Sequence, residues 1–131
     1  MSDVNSYSGD DAEMNAAIRE AQRRLPEFRR ALDADALRVI PTILGALAKV
    51  RFESAVTGAA EHMWIEDAGF EGENVVGTLA SEPKNIPQLR KGEWVSAPVE
   101  AISDWVYRQD NRTFGGFTIR LMQKRGEQWF E

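Results

Sequence analysis

The sequence holds one histidine, His62, in the stretch EHMWIED. It is the only side chain whose ordinary pKa lies near neutrality. A histidine oriented by a neighbouring acid is a common general base, and Glu61, Glu66 and Asp67 stand close by in the chain. Ser103 and Asp104, in ISDW, would supply the hydroxyl and the carboxylate of a Ser–His–Asp set. The signal is unspecific, because any three such residues can be grouped in this way, and no G-x-S-x-G elbow presents the serine. A strand histidine bonded to a backbone group or a carboxylate explains His62 with fewer assumptions. Asp104 has a structural reading too, as a turn carboxylate that accepts backbone amides. Gly115 and Gly116 have no following lysine, and a strand is expected after them rather than a helix. They therefore read as a bulge or a close backbone approach, not as a phosphate-binding loop. No catalytic set is expected.

The carboxylates say more than the histidine. From Phe52 to Pro83 lie Glu53, Glu61, Glu66, Asp67, Glu71, Glu73 and Glu82 with no lysine or arginine among them, and the whole chain of 131 residues has a formal net charge of −5. The remainder carries 14 acids and 16 bases, so one segment holds more than the entire negative balance. Such a field repels phosphate backbones, which argues against nucleic-acid binding. It suits a basic protein partner. The plainer reading is a set of solvated strand and turn residues that aid solubility. Glu66, Asp67, Glu71 and Glu73 have the hard oxygens a divalent cation takes, but their spacing fits no EF-hand loop. Neither a metal nor a cofactor is expected. Cysteine is absent, which removes disulfides, thiolate chemistry and cysteine zinc sites.

Four tryptophans, Trp64, Trp94, Trp105 and Trp129, are many for this length. With Tyr107, Phe114 and Phe117 they could line a ligand pocket or form an interaction patch. The alternative is core packing. If Met63 and Ile65 face the core, strand alternation turns His62, Trp64 and Glu66 outward, which makes Trp64 a candidate contact beside carboxylates.

These residues must be positioned by a small number of elements. Residues 1–9 read as a disordered lead-in, followed by one domain over residues 10–131. Asp10 and Glu13 form a plausible capping pair. Met14, Ile18, Ala21, Leu25, Phe28 and Leu32 then recur at spacings of three and four, the stripe of an amphipathic helix. Pro26 predicts a kink there, or a restart with the proline opening a second helix. Residues 33–47 read as an irregular connection. Beyond Leu47 the period becomes two. Strands are expected over residues 48–53, 61–67, 74–80 and 93–97, residues 102–108 read as a turn leading into a fifth, and a sixth runs through Phe117, Ile119 and Leu121. Residues 81–92 form a long loop, and Pro98 confines its strand to an edge or an end. Trp129 and Phe130 are expected to tuck against the core. Turns of hairpin length permit only antiparallel neighbours. The expectation is an α+β domain, with the N-terminal helix packed on a curved antiparallel sheet or partial barrel of five to six strands. No apolar run reaches a membrane span, and the first ten residues lack the pattern of a signal peptide. The expected location is the cytoplasm.

Several stretches resemble a known family. They are AEMNAAIREAQRRLPEF from Ala12, EHMWIED from Glu61, VGTLASEP from Val76, LRKGEWVSAPVEAISDWVY from Leu89 and GGFTIR from Gly115. In that order they are similar to the YegJ-like family, a bacterial domain of unknown function. The resemblance covers about residues 12–122, and ISDW and GGFTIR with their spacing are its most specific parts. It implies a compact bacterial domain and brings no activity, cofactor or catalytic residue.

Besides a hydrolase using His62 with Asp104, two functions are weighed. The first is a small protein-binding inhibitor, such as the immunity protein of a secreted bacterial toxin, that occludes a basic active site. Its contact surface would be Glu61, His62, Trp64, Glu66, Asp67, Glu71 and Glu73. The second is a regulatory module binding a small molecule or peptide in an aromatic pocket.

Overall fold

The computed structural model describes residues 11–127. Three helices and six strands follow one another as α1 (Ala12–Arg23), α2 (Leu25–Ala36), β1 (Ile43–Glu53), β2 (Ala60–Glu71), β3 (Asn74–Leu79), β4 (Trp94–Pro98), β5 (Ile102–Gln109), β6 (Arg112–Gly115) and α3 (Phe117–Arg125). All strand pairs are antiparallel. The sheet order is β4-β3-β2-β1-β5-β6. The sheet is open, with β4 and β6 at its edges, so it does not close into a barrel. The α+β class expected from the sequence is the class observed.

Asp11 caps α1 by accepting from the Met14 amide at 3.0 Å, one residue later than the cap read from the sequence. Asp10, the lead-in, Trp129 and Phe130 lie outside the described residues. Arg24 separates α1 from α2, and Pro26 sits in the first turn of α2, where its missing N–H costs nothing. The Asp11 carboxylate also accepts from the Arg125 guanidinium at 2.8 Å, which ties the start of α1 to the end of α3.

The apolar stripe of the helices meets one face of the sheet. Met14, Ala21 and Phe28 are fully buried. The Phe28 ring stacks on Trp105 at 5.1 Å and meets Phe70 edge-on at 5.7 Å. The Trp105 indole N–H donates to the Ala21 carbonyl at 2.9 Å, so this large ring is buried without stranding its polar atom. Val50, Met63, Ile65, Val75 and Leu79 complete the layer.

Two regions differ from the sequence reading. Residues 33–47 are more regular than expected. α2 runs to Ala36, and the Asp35 carboxylate accepts from the Thr42 amide at 2.8 Å, the Thr42 hydroxyl at 3.1 Å and the Ile43 amide at 3.2 Å. One buried acid thus closes the connection and starts β1. The second difference is the expected strand through Phe117, Ile119 and Leu121, which is α3. The sixth strand is instead β6, paired to β5 across a two-residue turn in which Asp110 and Asn111 have φ of 53° and 62°, a type I′ pattern. A five-residue alternation is too short to separate a strand from the first turn of a helix. What decides for helix is remote: the Asp104 carboxylate on β5 accepts the Phe117 amide at 3.0 Å and the Thr118 amide at 2.8 Å.

Candidate functional site

The structure divides the seven candidate contact residues into two groups. Glu66, Asp67, Glu71 and Glu73 are exposed along β2 and the turn into β3. Glu61, His62 and Trp64 are buried, at 0, 9 and 7% exposure.

Glu61 is an internal anchor. Both its carboxylate oxygens accept the Lys84 amide at 3.0 Å, and one also accepts the Asn85 amide at 2.9 Å. They pin the long loop after β3 to the start of β2. His62 Nδ1 lies 2.9 Å from the Ser103 hydroxyl, which in turn reaches the Lys49 carbonyl at 3.3 Å. Ser103 stands where the β1–β5 register slips between Lys49 and Val50. The slip swings this serine to the histidine. A serine has one proton, so when its hydroxyl donates to the carbonyl, the imidazole donates to the hydroxyl. That polarity is opposite to nucleophile activation. Asp104, the third member of the expected set, is directed elsewhere. Its carboxylate accepts from the amides of Trp105, Phe117 and Thr118 and from the Thr118 hydroxyl. Asp104 therefore accepts amides, as its structural reading expects, from within a strand. Gly115 and Gly116 are followed by a helix after all, but the first amides of that helix are already taken by this carboxylate.

Trp64 is not an outward contact. It stands opposite Lys49 in the β1–β2 register, with the Lys49 ammonium 5.8 Å from its ring centroid. Lys49 is itself 3% exposed and also stands opposite Asp104 on β5. Burial pushes the Lys49 pKa down to about 8, against the opposing pull of the Asp104 and Glu127 carboxylates. Below that value the folded and unfolded chains both carry the charge. Above it the folded chain releases the proton while the unfolded chain keeps it up to about pH 10.5, so stability rises with pH. Burial raises the Tyr107 pKa, which has the reverse sign and acts above pH 10. Urea unfolding is expected to show stability climbing between pH 8 and 10, by up to about 3 kcal/mol for the full lysine shift. Lys49→Met should flatten this climb; an unchanged slope would mean another group carries it.

The exposed acids are set by a break in the ladder. The β2–β3 register shifts between Glu66 and Gly69, and Asp67 within that bulge has φ of 53°. A non-glycine residue there is held at a cost of about 1–3 kcal/mol. The bulge turns two adjacent carboxylates to the surface. Glu71 and Glu73 flank the hairpin tip at Gly72. Among the described residues none of these four carboxylates is in an ion pair.

Trp94, counted in the sequence as one of four tryptophans for a pocket or patch, is the aromatic exposed on this surface. Thr78 stands opposite Glu66 on one side and Trp94 on the other. Trp94, Thr78 and Glu66 thus form one row across three strands, with the indole and the carboxylate on the same face and their backbone positions two strand spacings, roughly 10 Å, apart. Trp94 is 61% exposed. Its signal was available: Val95 and Ala97 point inward, so alternation places Trp94 and Ser96 outward. The other aromatics proposed for a pocket pack on one another. Tyr107 stacks on Trp105 and on Phe114, and Phe117 meets Trp105 edge-on.

Among the described residues no helix is long and apolar enough to cross a membrane, and no group of three or more histidines and acids is arranged to hold a metal ion.

The model of a family described as an uncharacterized protein conserved in bacteria, DUF2314, matches residues 11–128. The chain belongs to this family. It is 36% identical over 115 residues to a putative ankyrin repeat protein of Neisseria meningitidis serogroup B, covering 86% of this chain and 46% of that protein. It is 26% identical over 113 residues to the uncharacterized protein YegJ of Escherichia coli K12, covering 84% of this chain and 67% of that one. The chain thus spans about half the length of the first relative and two-thirds of the second. The resemblance to YegJ read from the sequence holds. No solved structure matches.

Proposed function

We propose that this DUF2314 domain is a cytoplasmic protein-binding inhibitor, of the immunity-protein kind, that meets a basic partner with the surface formed by β2, β3 and β4. The partner is a secreted bacterial toxin whose active site is positively charged, and the mechanism is occlusion. The observation that carries the reading is the row Glu66–Thr78–Trp94. It sets an exposed tryptophan beside carboxylates that have no internal counter-charge. Exposed acids speed encounter with a basic partner and fix its register. A central tryptophan supplies the apolar anchor that dominates interface energies. Trp94 takes the role the sequence had suggested for Trp64. The strained Asp67 supports the reading, because such backbone conformations cluster at functional surfaces.

The test is capture from the producing bacterium, comparing the native domain with a variant carrying Glu66→Lys, Asp67→Lys, Glu71→Lys and Glu73→Lys together, and with Trp94→Ala. A stoichiometric basic protein should be retained at low salt and lost at high salt. Each variant should raise its Kd by tenfold or more, about 1.4 kcal/mol. Retention of the same partner by the charge-reversed variant at native affinity would show that this surface is not the contact.

A further inference from the structure

Across β1 from the acidic surface, the sheet carries a second feature with its own chemistry. A groove of about 620 Å³ lies between β1, β5 and α3, within the size range of small-molecule sites. Leu47 and Val106 are cross-strand partners on its floor, and the next place in that row is Gly115. Gly115 and Gly116 line it with backbone, and beyond Gly116 the chain rises into α3, which brings Ile119 over the floor. Leu44, 76% exposed, extends the apolar wall toward solvent. The charged groups of the rim, Arg108 and Arg120, are of one sign, beside the neutral Thr113 and Gln123. The Arg108 side chain forms no ion pair or hydrogen bond with any described residue. Arg120 is held in place by donating to the Gly115 carbonyl and by stacking over the Phe117 ring at 5.2 Å, neither of which neutralises its charge.

We propose that this groove binds a single-chain anionic amphiphile, a linear alkyl tail ending in a carboxylate or phosphate. The aliphatic floor and wall take the tail, and Arg108 and Arg120 take the head. An aliphatic cleft excludes water from the tail, and guanidinium groups match the paired oxygens of such a head. The site adjoins the acidic surface, since Leu47 is the cross-strand partner of Glu66, but none of the four exposed acids lines the groove.

The probe is sodium laurate below its micellar threshold, read by titration calorimetry and by thermal unfolding of the native domain. Saturable one-to-one binding with a raised Tm is expected. Arg108→Ala should weaken it tenfold or more, and dodecanol, with the same tail and no charge, should bind at least tenfold more weakly. Val106→Trp fills the floor and should abolish binding. Leu44→Asp, at an exposed position that the fold does not need, gives the same answer if the tryptophan variant fails to fold. No saturable binding, equal binding of dodecanol, or unchanged affinity in Leu44→Asp would overturn the proposal. Capture by phosphatidylglycerol vesicles without binding of monomeric laurate would also overturn it, in favour of a membrane surface.

Discussion

Asp104→Ala is expected to lower the unfolding free energy by about 4 kcal/mol or more, enough to unfold a domain of ordinary stability. Asp104 is fully buried, and its two oxygens accept from Trp105, Phe117 and Thr118, the last through both amide and hydroxyl. Truncation leaves these donors inside the protein without a partner, which costs roughly 1–3 kcal/mol for each strongly buried group. It also removes the anion opposite Lys49, whose charge is then less compensated. Asp104→Asn keeps the shape and one acceptor oxygen but turns an NH2 toward donors, so an intermediate loss of about 2–3 kcal/mol is expected. Thr118→Val removes only the hydroxyl donor and should cost about 1 kcal/mol. Urea unfolding of the three variants gives this order directly. A loss below 1 kcal/mol in Asp104→Ala would mean that α3 is held by its packing and not by this carboxylate.

Gly115→Ala is expected to be as damaging, and its neighbour supplies the control. Both Gly115 and Gly116 have positive φ, 86° and 74°. An alanine at either pays the left-handed backbone penalty of about 1–2 kcal/mol. The surroundings differ. A Cβ at Gly115 would lie 2.2 Å from the Trp105 carbonyl oxygen and 2.6 Å from its ring, whereas at Gly116 the nearest atoms are 3.7 Å away. The Trp105 ring cannot yield, because it is stacked on Phe28 and its indole N–H is bonded to Ala21. Gly115→Ala should therefore cost more than about 4 kcal/mol and Gly116→Ala about 1–2 kcal/mol. Thermal unfolding should show a large drop in Tm for the first and a drop of several degrees for the second. Equal effects would place the cost in the backbone conformation alone.

The two variants bracket the same joint, and this joint was only half legible in the sequence. Phe117, Thr118, Ile119, Arg120 and Leu121 alternate well enough to read as a strand. Whether they become one depends on a carboxylate 13 residues earlier that takes the helix amides. Local pattern contains no such information. The connection after α2 fails to announce itself for the same reason, since Asp35 closes it through bonds to Thr42 and Ile43. By contrast, the helix stripe from Met14 to Leu32, the alternation of β1, β2 and β3 and the edge position implied by Pro98 are repeated local signals, and they were read correctly.

The candidate surface divides along the same line. Sequence by itself determined that the negative charge gathers on the β2–β3 segment and that the domain is α+β with antiparallel pairing. It also determined that Met63 and Ile65 share one face of their strand, opposite His62, Trp64 and Glu66, because period and charge are properties of adjacent residues. Only the tertiary structure decided which outward-pointing side chains are accessible. His62, Trp64 and Lys49 alternate out of the core face and are buried all the same. Glu61 is consumed by the loop it anchors. Trp94 shares a face with Glu66 because three strands align them in one row. Alternation assigns a side chain to a face; what covers that face depends on residues distant in the chain, and the free energy that decides it is the burial and pairing of groups the local sequence does not bring together.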